Sequence, residues 1–309
     1  MRQTSILLLT FLIFNACKQE KNKSEEVNAT RVEYQHISNP EYELEKPNKK
    51  PNAVLVLFGG YPEVAEDIKR EFQILEQASE NEIAVVYSNY SQKLWFEKNE
   101  LNELSEQLQS IFTDNQLPND NIYFGGFSSG GVVAFLIGNY LSENHKTGLT
   151  PKGIFIVDSP IDLAELYFSS EKNLKRKFSE TSIQESTWII EELGNRLGNP
   201  NEDLTEYEKH SVFTLKTGKI NNIQNLKNTK IRMYTEPDTL WWKKNRMVDY
   251  EQTNAYLIKE LSEKLTNSGF THVEYIPTEN RGYRASGERH PHSWAIVETN
   301  ELINWILSE

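Results

Sequence analysis

The chain has 309 residues, of which 38% are hydrophobic and 25% charged, and a formal charge of −12. With 14 Phe, 14 Tyr and 6 Trp it carries too much aromatic side chain for a disordered polymer, and its acidity speaks against a nucleic-acid partner, which needs a basic face. A single Cys excludes an internal disulfide framework and Cys-based zinc sites.

The first segment reads as an address. Arg2 makes the start positive, residues 6–14 are apolar apart from Thr10, and a polar run begins at Lys18. This is the layout of a secretory signal, too short for an ordinary membrane-spanning helix. The lone Cys17 follows Ala16 directly, so the segment resembles a bacterial lipoprotein signal, although Phe14 and Asn15 depart from that pattern's usual residues. The resemblance implies a signal peptide over 1–16, lipidation of Cys17, and a solvated tether over 17–30. Lys18 stands where an Asp would mark retention in the inner membrane. The expected location is therefore the cell envelope, lipid-anchored at the outer membrane.

From residue 31 the pattern is that of a folded domain running to 309. Residues 31–45 alternate weakly, which suits one or two edge strands. A turn cluster over 46–52 leads to residues 53–58, apolar at every position and ended by Gly59-Gly60. Such a run suits a strand buried on both faces, as in a parallel sheet. Residues 64–79 have helical spacing, with Ile68, Phe72 and Leu75 on one side. A buried strand follows at 83–87, then a helix striped by Leu101, Leu104, Leu108, Ile111 and Phe112. A strand over 121–126 and a helix from 131 to 141 come next, then a strand over 153–158. The alternation pauses over 159–227. It resumes with a strand at 230–235, a helix from about 247 to 265, a strand at 271–276 and a closing helix over 293–307. Buried strands alternating with amphipathic helices predict a mostly parallel central sheet with helices on both faces. The pause is too long for a loop and predicts an inserted helical cap over about 160–227.

Gly126-Phe127-Ser128-Ser129-Gly130 matches G-x-S-x-G between a predicted strand and a predicted helix. A sharp turn there exposes the Ser128 hydroxyl, and the glycines keep side chains out of it. The helix start offers backbone N–H groups to a developing oxyanion. The competing readings are a helix N-cap at Ser128 or an anion-binding turn; a P-loop is excluded because no Gly-Lys-Ser/Thr follows.

From about residue 50 the chain resembles the α/β-hydrolases. Phe58-Gly59-Gly60-Tyr61 after an early strand, the elbow at 126–130, an acid after a later strand and a His near the end carry the resemblance. The family's order is Ser, acid, His. It implies Ser128 as nucleophile and an acid just past the strand at 230–235, where Asp238 is favoured, Glu236 is the alternative and Asp158, ending the strand before, is a third option. The base must be an imidazole. His36 precedes the elbow, His145 ends the elbow's own helix, His210 lies in the cap and His272 begins a strand. His290-Pro291-His292, between the last strand and the last helix, remains; His292 is favoured and His290 is its rival. No third ligand at a suitable spacing joins this pair, so no metal site is assigned, and no cofactor is expected. The oxyanion donors implied are the N–H of Ser129 and one from Gly60 or Tyr61. Phe58 stands where the family often has His. Trp241-Trp242 is open to two readings, pocket wall or packing, and Arg281, Arg284 and Arg289 either hold a substrate anion or form a solvated face.

The function expected is a cell-envelope serine hydrolase cleaving a small-molecule or glycan-linked carboxylic ester. The alternatives are a peptidase or acyltransferase using the same triad, and an inactive surface-binding lipoprotein.

Overall fold

A computed structural model of the chain describes residues 32–90, 94–97 and 99–308. The expected signal peptide, Cys17 and the tether lie outside the described residues. The six apolar side chains of residues 53–58 are all fully buried, and period two divides them between two cores. Val54, Val56 and Phe58 join one cluster, and Ala53, Leu55 and Leu57 the other.

Among the described residues there are eight strands: β1 (Tyr34–Ser38), β2 (Tyr42–Pro47), β3 (Ala53–Phe58), β4 (Ile83–Ser88), β5 (Ile122–Phe127), β6 (Pro151–Val157), β7 (Lys230–Thr235) and β8 (Val273–Pro277). They form one sheet in the order β1-β2-β4-β3-β5-β6-β7-β8. β1 and β2 pair antiparallel at one edge, and β2 is antiparallel to β4. All the remaining pairings are parallel. The helices are α1 (Ala65–Glu71), α2 (Leu75–Glu80), α3 (Glu100–Asp114), α4 (Ser129–Glu143), α5 (Leu163–Arg176), α6 (Glu180–Leu197), α7 (Thr205–His210), α8 (Thr239–Arg246), α9 (Asn254–Asn267) and α10 (Thr299–Leu307). α3, α4 and α9 bury their apolar stripes on one face of the sheet. α1, α2 and α10 cover the other.

Three predicted helices differ in extent. The helix expected over 64–79 breaks into α1 and α2, because Phe72 leaves the stripe to stack on Trp294 at 4.5 Å and Ile74 is drawn wholly into the core. The helix expected from about 247 starts instead at Asn254. Met247, with φ of 53°, ends α8 in the left-handed conformation, and the Thr253 hydroxyl caps α9 by accepting the Tyr256 N–H. The closing helix starts at Thr299, where the Glu298 carboxylate accepts the N–H groups of Asn300 and Glu301.

Between β6 and β7 the chain leaves the sheet. α5, α6 and α7 pack on each other around Leu163, Tyr167, Ile189, Leu193 and Tyr207. Buried Asp162 pins the two ends of this excursion together. One carboxylate oxygen caps α5 through the N–H groups of Ala164 and Glu165, and the other accepts the Leu215 N–H at 2.7 Å.

Candidate active site

β5 runs straight into a turn at Ser128, whose φ of 51° and ψ of −126° are strained for a side-chain-bearing residue. The surrounding backbone holds it there. The Ser128 N–H donates to the Val157 carbonyl at 3.0 Å, extending the β5–β6 ladder, and the Ser128 carbonyl accepts the Gly131 N–H at 3.0 Å. α4 then packs so close to β3 that a Cβ on Gly130 would lie 2.1 Å from the Phe58 carbonyl oxygen. Gly60 crowds the elbow from the other side: a Cβ there would meet the Ser128 Cβ at 2.8 Å. Glycine at both positions is thus a requirement of close approach, and it leaves the Ser128 side chain at least partly exposed.

The His292 ring lies 4.4 Å from the Phe127 ring, beside the elbow. Its Nδ1 meets the Oδ2 of Asp158 at 2.6 Å. An ionised carboxylate only accepts, so the bond assigns the proton to Nδ1 and leaves Nε2 free to accept one. Asp158 is buried, directly follows β6, and has a φ of 44°. Its N–H donates to the Tyr234 carbonyl and its carbonyl accepts from the Asn254 amide, both at 2.9 Å. Ser128 and Asp158 therefore stand one residue past the ends of neighbouring strands, both in strained conformations of the kind that gathers at functional sites.

Asp238, the acid favoured from the sequence, lies elsewhere. Its Oδ1 caps α8 by accepting the Trp241 N–H at 2.9 Å, and its Oδ2 pairs with Arg289 at 2.7 Å. Glu236, the alternative, is buried and accepts the N–H groups of Arg281 and Gly282 at 2.9 and 2.8 Å while also pairing with Arg289. These two carboxylates brace the loop that carries His290 and His292. The difference has a physical origin: β6 is the immediate neighbour of β5, which leads into Ser128, whereas β7 is one strand further out. The signal in the sequence was an acid directly closing a fully apolar strand, at Asp158.

His290 is buried against Trp241, with ring centroids 4.6 Å apart. Its Nδ1 accepts the His292 N–H at 3.2 Å, so it orients the neighbouring residue. Burial first, and then the charges of Arg284, His292 and Arg246, push its pKa down to about 3. The unfolded chain protonates this imidazole near pH 6.5, and the folded one holds it neutral down to about 3. Its stabilising contribution is thus complete above pH 6.5 and is lost as pH falls through that interval. His290→Gln should remove this component. Thermal melts between pH 7 and pH 4 should show a drop of several degrees in wild type that is reduced in the variant. Of the remaining histidines, His36 pairs with Glu45 on the β1–β2 edge.

The expected oxyanion loop sits against Ser128, but its donors are engaged. The Gly60 N–H donates to Glu63 at 3.0 Å and the Tyr61 N–H to the Ser129 hydroxyl at 2.9 Å. Glu63 also accepts from the Trp294 indole at 3.1 Å, and burial raises its pKa. Above this loop the Tyr61 ring stacks on Trp188 of α6, with centroids 5.6 Å apart. The helical excursion thus touches the loop that sits against the elbow. Trp241 and Trp242 both pack on His290, and Trp242 also lines a cavity under α5 and α6.

No protein-family model and no curated protein matches the chain in sequence. In three dimensions it is similar to FphF, a fluorophosphonate-binding serine hydrolase of Staphylococcus aureus, at a TM-score of 0.51 and 12% identity over 90% of this chain and 98% of that one. It is also similar to a hormone-sensitive lipase from a metagenome library, at 0.53 and 13% over 90% and 84%. A third likeness is to the Francisella virulence factor BioJ, at 0.51 and 15% over 89% and 84%. The chain has the α/β-hydrolase fold. Within that fold the carboxylate that meets the last histidine follows β6, the third of the options read from the sequence, and not β7, the favoured one.

Proposed function

We propose that the protein is a serine hydrolase of carboxylic esters, with Ser128 as nucleophile, His292 as base and Asp158 as the acid that orients it. The observation that carries this reading is the 2.6 Å bond from His292 Nδ1 to Asp158, beside a serine held at a strained strand-to-helix turn. His292 Nε2 takes the proton as Ser128 Oγ attacks the ester carbonyl. The imidazolium so formed is stabilised by the Asp158 carboxylate. It returns the proton to the departing alcohol, leaving an acyl group on Ser128. Water activated by the same imidazole then adds to the acyl carbon, and the free acid leaves as Ser128 regains its proton. The N–H of Ser129, at the start of α4, faces the developing oxyanion. A second donor, from Gly60 or Tyr61, exchanges its present partner for the oxyanion.

A fluorophosphonate probe tests this directly. Wild type is expected to be labelled once per chain, at Ser128, and to hydrolyse 4-nitrophenyl butyrate; absence of both would remove the enzyme reading. The lipid anchor is a separate part of the proposal, supported by Cys17 at the end of the apolar run. Expressed in a Gram-negative host with an alkyne-tagged fatty acid, wild type should take up the tag and fractionate with outer membrane. Cys17→Ala should take up none.

A further inference from the structure

A cavity of about 360 Å³ lies between α5, α6 and α8 and is closed on one side by the loop bearing His290 and His292. That size suits a small ligand. Its wall includes His292 itself, Trp242, and two guanidinium side chains, Arg246 and Arg284. Of the other arginines among the described residues, Arg70, Arg176, Arg196, Arg232 and Arg289 are each in an ion pair, and Arg281, in none, is exposed. Among the described residues Arg246 and Arg284 are in none; Arg246 lies over the Trp241 ring at 6.0 Å. Both are half-buried. A cation held partly out of water without a counter-ion is costly unless something anionic completes it. Glu185, the one acidic side chain on the wall, is exposed. The same wall contains Asn173, whose Oδ1 is buried without a hydrogen-bond partner. It offers an acceptor to a ligand hydroxyl.

We propose that this cavity is the substrate pocket and that Arg246 and Arg284 select esters bearing a negative charge on the acid or the alcohol portion. The inference rests on His292 being the catalytic base, since His292 is the group that this wall shares with the proposed catalytic site, Ser128 lying outside it. The chain's overall charge of −12 repels anions at a distance, so a local pair of guanidinium groups is what admits them.

The test compares two matched pairs of esters. Mono-4-nitrophenyl glutarate against 4-nitrophenyl butyrate places the charge on the acyl side. 4-Acetoxybenzoate against its methyl ester places it on the leaving group. In wild type the anionic member of at least one pair should be preferred in kcat/KM, and in Arg246→Gln/Arg284→Gln that ratio should fall by roughly 10- to 100-fold. The ratio is independent of how much of each preparation is folded. Arg246→Lys/Arg284→Lys should keep part of the preference. A ratio equal in wild type and the glutamine variant for both pairs overturns the pocket assignment while leaving the hydrolase standing. If no ester is cleaved and Ser128 is unlabelled, calorimetric titration of glutarate and benzoate still decides. Binding lost in the glutamine variant supports an anion pocket, and no binding to wild type overturns it.

Discussion

Ser128→Ala is expected to lower kcat for ester hydrolysis by about 10⁶-fold and to leave the melting temperature nearly unchanged. The size follows from the chemistry: without the hydroxyl there is no acyl-enzyme, and only substrate binding and the oxyanion donors remain to assist water. The small change in stability follows from the geometry. Ser128 holds φ of 51° through backbone bonds to Val157 and Gly131, which alanine keeps. Alanine meets the same backbone strain as serine, so the turn stays formed. Stopped assays with long incubation, alongside a thermal melt, measure both quantities. A variant that kept wild-type turnover would remove Ser128 from the mechanism.

The second large effect falls on the acid. Asp158→Asn should reduce kcat by about 10⁴-fold, because an amide offers the imidazole a donor where a carboxylate only accepts, and the tautomer with Nε2 free to take a proton is no longer favoured. Asp238→Asn should leave kcat within about tenfold, since that residue caps α8 and pairs with Arg289 and does not touch His292. Its loss should register as a lowered melting temperature. Measuring kcat for both variants with one substrate separates the two carboxylates. The reverse ranking would return the acid to the β7 turn.

Most of the sheet was legible because its strands are runs with no polar face. Residues 53–58 admit burial on both sides and little else, and the pattern of strands and helices around them carries the parallel order with it. The elbow was legible because glycine, serine and glycine at that spacing sit where a strand must turn into a helix. The choice of acid was not, because Pro237 and Asp238 carry strong local turn chemistry, while Asp158 is marked in the sequence only by closing an apolar strand and meets His292 through tertiary position. The helix breaks at Phe72 and Met247 were hidden for a similar reason. Aromatic stacking on Trp294 and a left-handed cap are decided by partners far along the chain or by the path of the backbone, not by local periodicity. The two guanidinium groups of the cavity wall were invisible as a pair: Arg246 and Arg284 are separated by a helix and a strand in sequence and share a cavity only in the folded chain.

The bracing of Arg289 by Glu236 and Asp238 sets how this protein should wear out. The imidazole rides on a strap fastened by one guanidinium to two acids outside the sheet, while its ring rests on Phe127 of one core. Both pairs run through the single Arg289 side chain, so its loss would free the loop without touching the apolar interior. Loosening of this strap should therefore silence the protein while the sheet stays folded, a mode of failure that leaves an intact body able to recover.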